Sequence, residues 1–274
     1  SCFVGSVRCV KETDFIDDII SKNNLHPSSE TSFHALIKHK YVLHVHSTTT
    51  IANAISQSSE SDLKKYLDED FIFIPYCRPG FTLTMEIKKL ILPSTNILVL
   101  ENHGLIVAGD DIEDTYKLLL KIHEKLDLIR NEKLGLDYPE KITNIGGYIH
   151  KNTDKYKLFS TQNEKLFSLF SKSFYPDHVI FLGPGIPTFS EENEANEFIQ
   201  NLKRKNINLP PYLILKNKGL FENTLAIPAA KEMIDCFLEV LLRIDLTKSL
   251  KFLSNQQESE LLNWDIEIYR QSIN

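Results

Sequence analysis

The chain has 274 residues, of which 42% are hydrophobic and 25% are charged, a composition that suits one large or two modest globular domains. The formal net charge is −6 and no stretch concentrates Lys and Arg, which argues against a nucleic-acid-binding surface. No apolar run reaches the ~18 to 20 residues of a membrane span, and the 4 cysteines form no C-x-x-C pair. We therefore expect a cytoplasmic protein without nucleic-acid or membrane partners.

Helix and strand signals alternate along the first half of the chain. The patterns predict five helices: 13–21, a helix from a serine cap near 28–29 to about His39, 48–57, 84–92 and 111–131. They predict strands over 41–46, 71–75, 97–100 and 105–108. The short segment Asn102-His103-Gly104 then forms a tight connection between the last two strands. These patterns predict an α/β fold.

Three histidines lie at positions where strand geometry can bring them together. His44 and His46 are two residues apart in a strand-like run, so their side chains point to the same face. A second strand end can bring His103 to them. Three imidazole nitrogens and one open position are typical of a catalytic zinc or similar divalent ion, whereas a structural zinc is usually closed by four ligands. The alternative is that these are isolated core or surface histidines, which a lone H-x-H would favour.

The surrounding motifs resemble those of the class II aldolase/adducin family. They are Pro27-Ser28-Ser29-Glu30 with His34, then His44-Val45-His46, then Asn102-His103-Gly104, in the family's order. The chain looks most similar to the aldolase half of proteins that join this domain to a short-chain dehydrogenase. No strand in this sequence is followed by the G-x-G-x-x-G pattern of a dinucleotide site.

The resemblance implies roles for individual residues. It makes His44, His46 and His103 ligands of a divalent metal, for which Zn²⁺ is the first choice. It makes Glu30 the acid/base. The alternative for Glu30 is a first-turn acid that stabilises the helix dipole. Ser28 and Ser29 would hold a substrate phosphate or only cap the helix. His34 would hydrogen-bond Glu30 or a ligand imidazole, or only pack.

The second half contains a possible repeat. Residues 213–220 resemble residues 98–105 at an offset of 115, with Lys218 in the place of His103, and each segment precedes a predicted helix. Residues 179–183 are predicted to match the strand that carries His44 and His46. We therefore predict a metal-binding domain over 1–150 and a degenerate copy over 151–274; a chance resemblance between two strand-turn-strand units is the alternative.

Together these observations predict a three-layer α/β fold with a mainly antiparallel central sheet flanked by helices. The resemblance implies a metal-dependent aldolase that cleaves a small ketose or ketose phosphate through a metal-stabilised enediolate. It also implies a homo-oligomer, either a tetramer or a dimer. The alternatives are a sugar-phosphate epimerase or a decarboxylase using the same metal site, or a non-catalytic adducin-like interaction protein.

Overall fold

A computed structural model describes residues 5–9, 30–138 and 144–264. Its contacts divide the chain into two compact units, Ser1–Leu128 and Ile129–Asn274. The sequence analysis placed the boundary between residues 150 and 151. The strand Tyr148–His150 lies before that point but pairs with a strand of the second unit, so this division falls nearer the N-terminus. The predicted helix over 13–21 lies outside the described residues.

The first unit is built on a five-stranded sheet. Its strands are β1 (Gly5–Cys9), β2 (Tyr41–Val45), β3 (Ile72–Ile74), β4 (Ile97–Leu100) and β5 (Gly104–Gly109). They lie in the order β1-β2-β5-β4-β3, with antiparallel pairs except for the parallel pair β3–β4. Because β5 runs against both of its neighbours, the ends of β2 and β4 lie at its start. The predicted strand-turn-strand unit therefore meets the strand that bears His44.

The helices of the first unit are α1 (Thr31–Leu36), α2 (Thr48–Ala54), α3 (Ser59–Tyr66), α4 (Phe81–Leu90) and α5 (Ile112–Leu126). Ser47 and Asp111 cap α2 and α5, since their side chains accept hydrogen bonds from backbone amides in the first turns. Helix α1 ends before the predicted His39 because Ile37 is extended. Helix α3 was not predicted, because it contains few apolar residues at helical spacing.

Alternate residues of β4 and β5 belong to two separate apolar clusters, as the two-residue repeat of a strand requires. One cluster includes residues of α2, α3 and α5, for example Leu119. The other includes Phe33 of α1 and Leu83 of α4. His44 lies two residues after Val42, a member of this second cluster, so the histidines share the face that contacts α1.

The second unit contains a four-stranded sheet, ordered β6-β9-β8-β7. Its strands are β6 (Tyr148–His150), β7 (Thr188–Phe189), β8 (Tyr212–Leu215) and β9 (Gly219–Asn223). Its helices are α6 (Glu164–Leu169), α7 (Pro176–Leu182), α8 (Glu192–Arg204), α9 (Pro228–Arg243) and α10 (Asn255–Leu262), with 3₁₀ helices at Glu132–Leu134 and Asp154–Ser160.

Both sheets contain the same arrangement of four strands. In each, two antiparallel strands joined by a tight turn are flanked by one antiparallel and one parallel strand. The pairing Leu98–Ile106 of the first sheet corresponds to Leu213–Phe221 of the second, both shifted by 115 residues. Residues 179–183 were wrongly predicted to be a strand: Pro176 begins α7, and Gly183 ends it with a φ of 93°. The strand that matches β2 is β6.

The mixed α/β class and the mainly antiparallel first sheet are confirmed by these pairings. Among the helices that the structure describes, none is long and apolar enough to cross a membrane.

Candidate metal centre

The strand order brings the three predicted ligands together. His44 lies in β2, His46 directly follows it, and His103 lies in the turn between β4 and β5. Their ring centroids are 4.8 to 5.1 Å apart, with the ring planes steeply inclined to one another. His44 is 1% exposed and His103 is 3% exposed, so both imidazoles lie in a largely dry environment.

The ε nitrogens of these rings point towards one another and towards one carboxylate oxygen. The Nε2 atoms of His44 and His46 are 3.2 Å apart. Oε1 of Glu30 lies 3.2 Å from Nε2 of His44, 3.2 Å from Nε2 of His103 and 3.9 Å from Nε2 of His46. One ligand atom from each of these four residues lies within 4.8 Å of every other. The site therefore offers three nitrogens and one oxygen to a common centre.

Backbone contacts set the orientation of His44. Its Nδ1 lies 3.1 Å from the carbonyl oxygen of Leu105. A carbonyl can only accept, so Nδ1–H donates to it and Nε2 faces the centre. Metal-binding histidines are commonly held in this way by a second hydrogen bond.

Electrostatics keep His103 neutral. Burial lowers the pKa of His103 to about 4, although the hydrogen bond that Glu30 accepts from it acts in the opposite direction. At neutral pH this imidazole therefore has a lone pair available for a cation. Neutral ligands also leave the positive charge of a bound ion intact.

Glu30 is ionised in this environment. Burial alone would raise its pKa, but the interactions with the imidazoles of His44, His103 and His46 bring the pKa well below its usual range. The carboxylate can then act as a ligand or accept a proton.

The donor set fits a divalent ion. Imidazole nitrogen and carboxylate oxygen suit Zn²⁺ and other first-row divalent metals. With Zn–N bonds of about 2.0 to 2.1 Å in a tetrahedron, two nitrogens lie about 3.3 Å apart. The separation between His44 and His46, 3.2 Å, matches this value.

The remaining predicted site residues are Ser28, Ser29 and His34. Ser28 and Ser29 are outside the described residues, so their phosphate-binding role stays a prediction. His34 is buried, stacks on Phe33 at 4.8 Å and presents its ring at 6.4 Å from that of His44. It therefore lies beside His44 without belonging to the converging set.

Glu101 is a structural contributor that sequence reasoning missed. It is 6% exposed, and its Oε2 accepts a hydrogen bond of 2.9 Å from the backbone N–H of Tyr76. Its own N–H donates to the carbonyl oxygen of Ile74 at 2.9 Å. Glu101 thus ties the segment after β3 to the start of the turn that carries His103. Its position next to Asn102-His103-Gly104 was the available signal.

Comparisons with known proteins concern the first unit. Residues 8–128 match the family described as "Class II Aldolase and Adducin N-terminal domain". YuxG of Bacillus subtilis strain 168, named an uncharacterised oxidoreductase, is 27% identical over 119 residues, which make up 43% of this chain and 17% of that protein.

Solved structures with similar chains include an N-terminal class II aldolase domain of a conserved protein from Thermoplasma acidophilum. It is 29% identical, with a TM-score of 0.35, and the match covers 36% of this chain and 46% of that one. YgbL from Klebsiella pneumoniae, described as a candidate aldolase, epimerase or decarboxylase, is 24% identical with a TM-score of 0.31, covering 43% and 62%. The chain spans less than two thirds of the length of each of these relatives.

Proposed function

Because residues 8–128 belong to the class II aldolase and adducin N-terminal domain family, we propose that the chain is a metal-dependent aldolase that cleaves a small ketose or ketose phosphate. The observation that carries the proposal is the convergence of His44, His46, His103 and Glu30 on one centre. Retention of all three histidines favours an enzyme over an adducin-like interaction protein.

The proposed ion is Zn²⁺, held by the three imidazoles. When bound, it would supply a Lewis acid for the carbonyl and neighbouring hydroxyl oxygens of a ketose. The residues around it perform the remaining tasks. His44 is fixed by the carbonyl of Leu105, and the ionised Glu30 moves a proton at the substrate carbon or hydroxyl when the carbon–carbon bond breaks.

The test is product analysis with the zinc-loaded full chain. Ketoses and ketose phosphates are incubated with the parent and with a His44→Ala/His46→Ala variant, and the products are identified by NMR. Release of an aldehyde and a smaller ketone by the parent alone supports the aldolase. A stereoisomer of the same mass would identify an epimerase, and carbon dioxide release from a sugar acid a decarboxylase; either result replaces the aldolase proposal.

We also propose that the second unit is a degenerate copy of the first, each a sheet between helical layers. The support is the shared strand arrangement and the 115-residue shift that relates both strands of the β4–β5 and β8–β9 pairs. His150 pairs with Phe221 as His44 pairs with Ile106, so His150 takes the place of His44 in the second sheet. Lys218 takes the place of His103.

The copy is proposed to bind no metal. Nζ of Lys218 forms an ion pair of 3.1 Å with Glu192, and Nε2 of His150 donates to the carbonyl oxygen of Lys218 at 2.8 Å. A lysine in a ligand position repels a cation, and this hydrogen bond engages the remaining imidazole. A His150→Ala variant should keep the metal content of the parent; a loss of about one ion per chain by elemental analysis would overturn the assignment.

Assembly as a dimer or tetramer and a cytoplasmic location stay predictions based on the sequence and on family resemblance. Analytical ultracentrifugation of the full chain would decide the first, with a monomer as the contradicting result.

A further inference from the structure

We propose that Gly104 is a positioning residue of the metal centre. The absence of a side chain at this position allows the turn that carries His103 to approach the strand that carries His44 and His46. This inference rests on the proposed function, since it concerns the same site.

The argument begins with the space around Gly104. This residue starts β5 and directly follows His103. A Cβ atom built on it would overlap the carbonyl oxygen of Val45 and would lie 3.1 Å from Cα of His46. Both are backbone atoms, so no side chain can rotate away to make room. Even a methyl group therefore requires the turn and the end of β2 to separate.

The restriction comes from space rather than from backbone conformation. The φ of Gly104 lies outside the left-handed region, whereas the preceding Asn102 adopts a φ of 52° and provides the left-handed step of the turn. An alanine at 104 could adopt the local backbone angles. The overlap of its Cβ with the backbone would instead displace β2 from the turn.

That displacement separates the ligands. Val45 lies between His44 and His46, so moving its carbonyl carries both imidazoles away from His103. The hydrogen bond from Nδ1 of His44 to the carbonyl oxygen of Leu105, 3.1 Å long, joins the same two segments. Metal centres require ligand positions to be held within about 0.5 Å. We therefore expect Gly104→Ala to weaken zinc binding about 10- to 100-fold, the range seen when groups that orient ligands are altered.

The second unit supplies a matched control. Gly219 follows Lys218 in the corresponding turn, at a φ of 93°. A Cβ there would lie 3.1 Å from Cε1 of Tyr138 and 3.7 Å from Nε2 of His150. Gly219→Ala thus strains an equivalent turn that carries no proposed metal ligand.

The experiment measures zinc affinity by chelator competition for the full-length parent, Gly104→Ala and Gly219→Ala. Visible absorption of the Co²⁺-loaded proteins reports the ligand geometry, and urea unfolding of the metal-free proteins reports stability. We expect weaker zinc binding and an altered Co²⁺ spectrum only in Gly104→Ala. Gly219→Ala should lower the unfolding midpoint while keeping zinc affinity within about twofold of the parent.

Two results would overturn the inference. One is a Gly104→Ala protein with the affinity and Co²⁺ spectrum of the parent. The other is an equal loss of affinity in Gly219→Ala, which would mean that general destabilisation weakens binding. A parent that binds no ion would instead overturn the proposed function, and this inference with it.

A second pair of variants applies if Gly104→Ala does not fold. Asn102→Ala disfavours the left-handed step of the same turn, whereas Asn102→Gly permits it. We expect Asn102→Ala to bind zinc about fivefold more weakly than Asn102→Gly. Equal affinities in these two variants would contradict a positioning role for the turn.

Discussion

In each unit a tight turn joins the two central antiparallel strands, and each turn has an asparagine at positive φ, one variable residue and a glycine. The φ of Asn102 is 52° and that of Asn217 is 61°. The variable residue is His103 in the first unit and Lys218 in the second. His103 turns towards Glu30, at 3.2 Å, whereas Lys218 pairs with Glu192 near the surface.

The comparison separates the requirements of the fold from those of the site. Strand pairing and turn conformation recur without the histidine, so they do not depend on metal ligands. The site depends on a few side chains: three imidazoles that one turn and one strand end hold together, and a carboxylate at the start of α1. The sheet alone would therefore not distinguish a unit that carries the histidine cluster from one that does not.

The largest expected difference between the units is in catalysis. Glu30→Gln keeps the shape of the side chain but removes its ability to accept a proton, so we expect kcat for ketose cleavage to fall by about 10² to 10⁴. Glu192→Gln, which changes the carboxylate beside Lys218, should leave kcat unaltered. Steady-state kinetics with metal content measured in parallel tests this. Equal rates for Glu30→Gln and the parent would remove Glu30 from the mechanism.

Acid should destabilise the second unit through His178. Its ring is fully buried beside Phe237, 4.5 Å between centroids, and burial lowers its pKa from 6.5 to about 3. Below pH 6.5 the unfolded chain takes up a proton that the folded state does not. The stabilisation is therefore complete above pH 6.5 and is lost, at about 1.4 kcal/mol per pH unit, as pH falls towards 3.

Trp264, the single tryptophan, lies in the second unit and reports its unfolding. Urea titrations followed by its fluorescence between pH 7 and 5 should show a smaller loss of stability for His178→Phe than for the parent. The same pH dependence in both proteins would contradict the assignment to His178.

The smallest effect is expected for Lys218→Ala. The ion pair with Glu192 is more than one third exposed on both sides, so solvent screens it and its loss should cost less than about 1 kcal/mol. Metal content should not change. A cost of several kcal/mol in urea unfolding would show that the turn of the second unit depends on this lysine.

Much of the first unit was predictable because its signals are local. The alternation at Tyr41–His46, the cap at Asp111 and the order of the histidine motifs require only short windows of sequence. The strands β2, β4 and β5 and helices α2 and α5 follow from them. Helix α3 was missed because its apolar periodicity is weak. Helix α4 was predicted to start at Thr84, but it begins at Phe81, directly after Gly80 with its φ of 87°.

The candidate site was predictable as a set of residues but not as a geometry. Spacing placed His44 and His46 on one face, but only strand order brings His103 to them. The contribution of Glu101 depends on a partner 25 residues away along the chain. The match between β2 and β6 was missed because β6 contains only one histidine, and residues 179–182 lie in helix α7 despite their strand-like composition.

The most direct test of the central claim is X-ray absorption of the zinc-loaded full chain, beside His103→Ala and His150→Ala. We predict about one zinc per chain, with imidazole nitrogens at about 2.0 to 2.1 Å. The imidazole signal should fall in His103→Ala and stay unchanged in His150→Ala. A parent that binds no zinc, or the same imidazole signal in His103→Ala as in the parent, would contradict a metal centre built by the first unit.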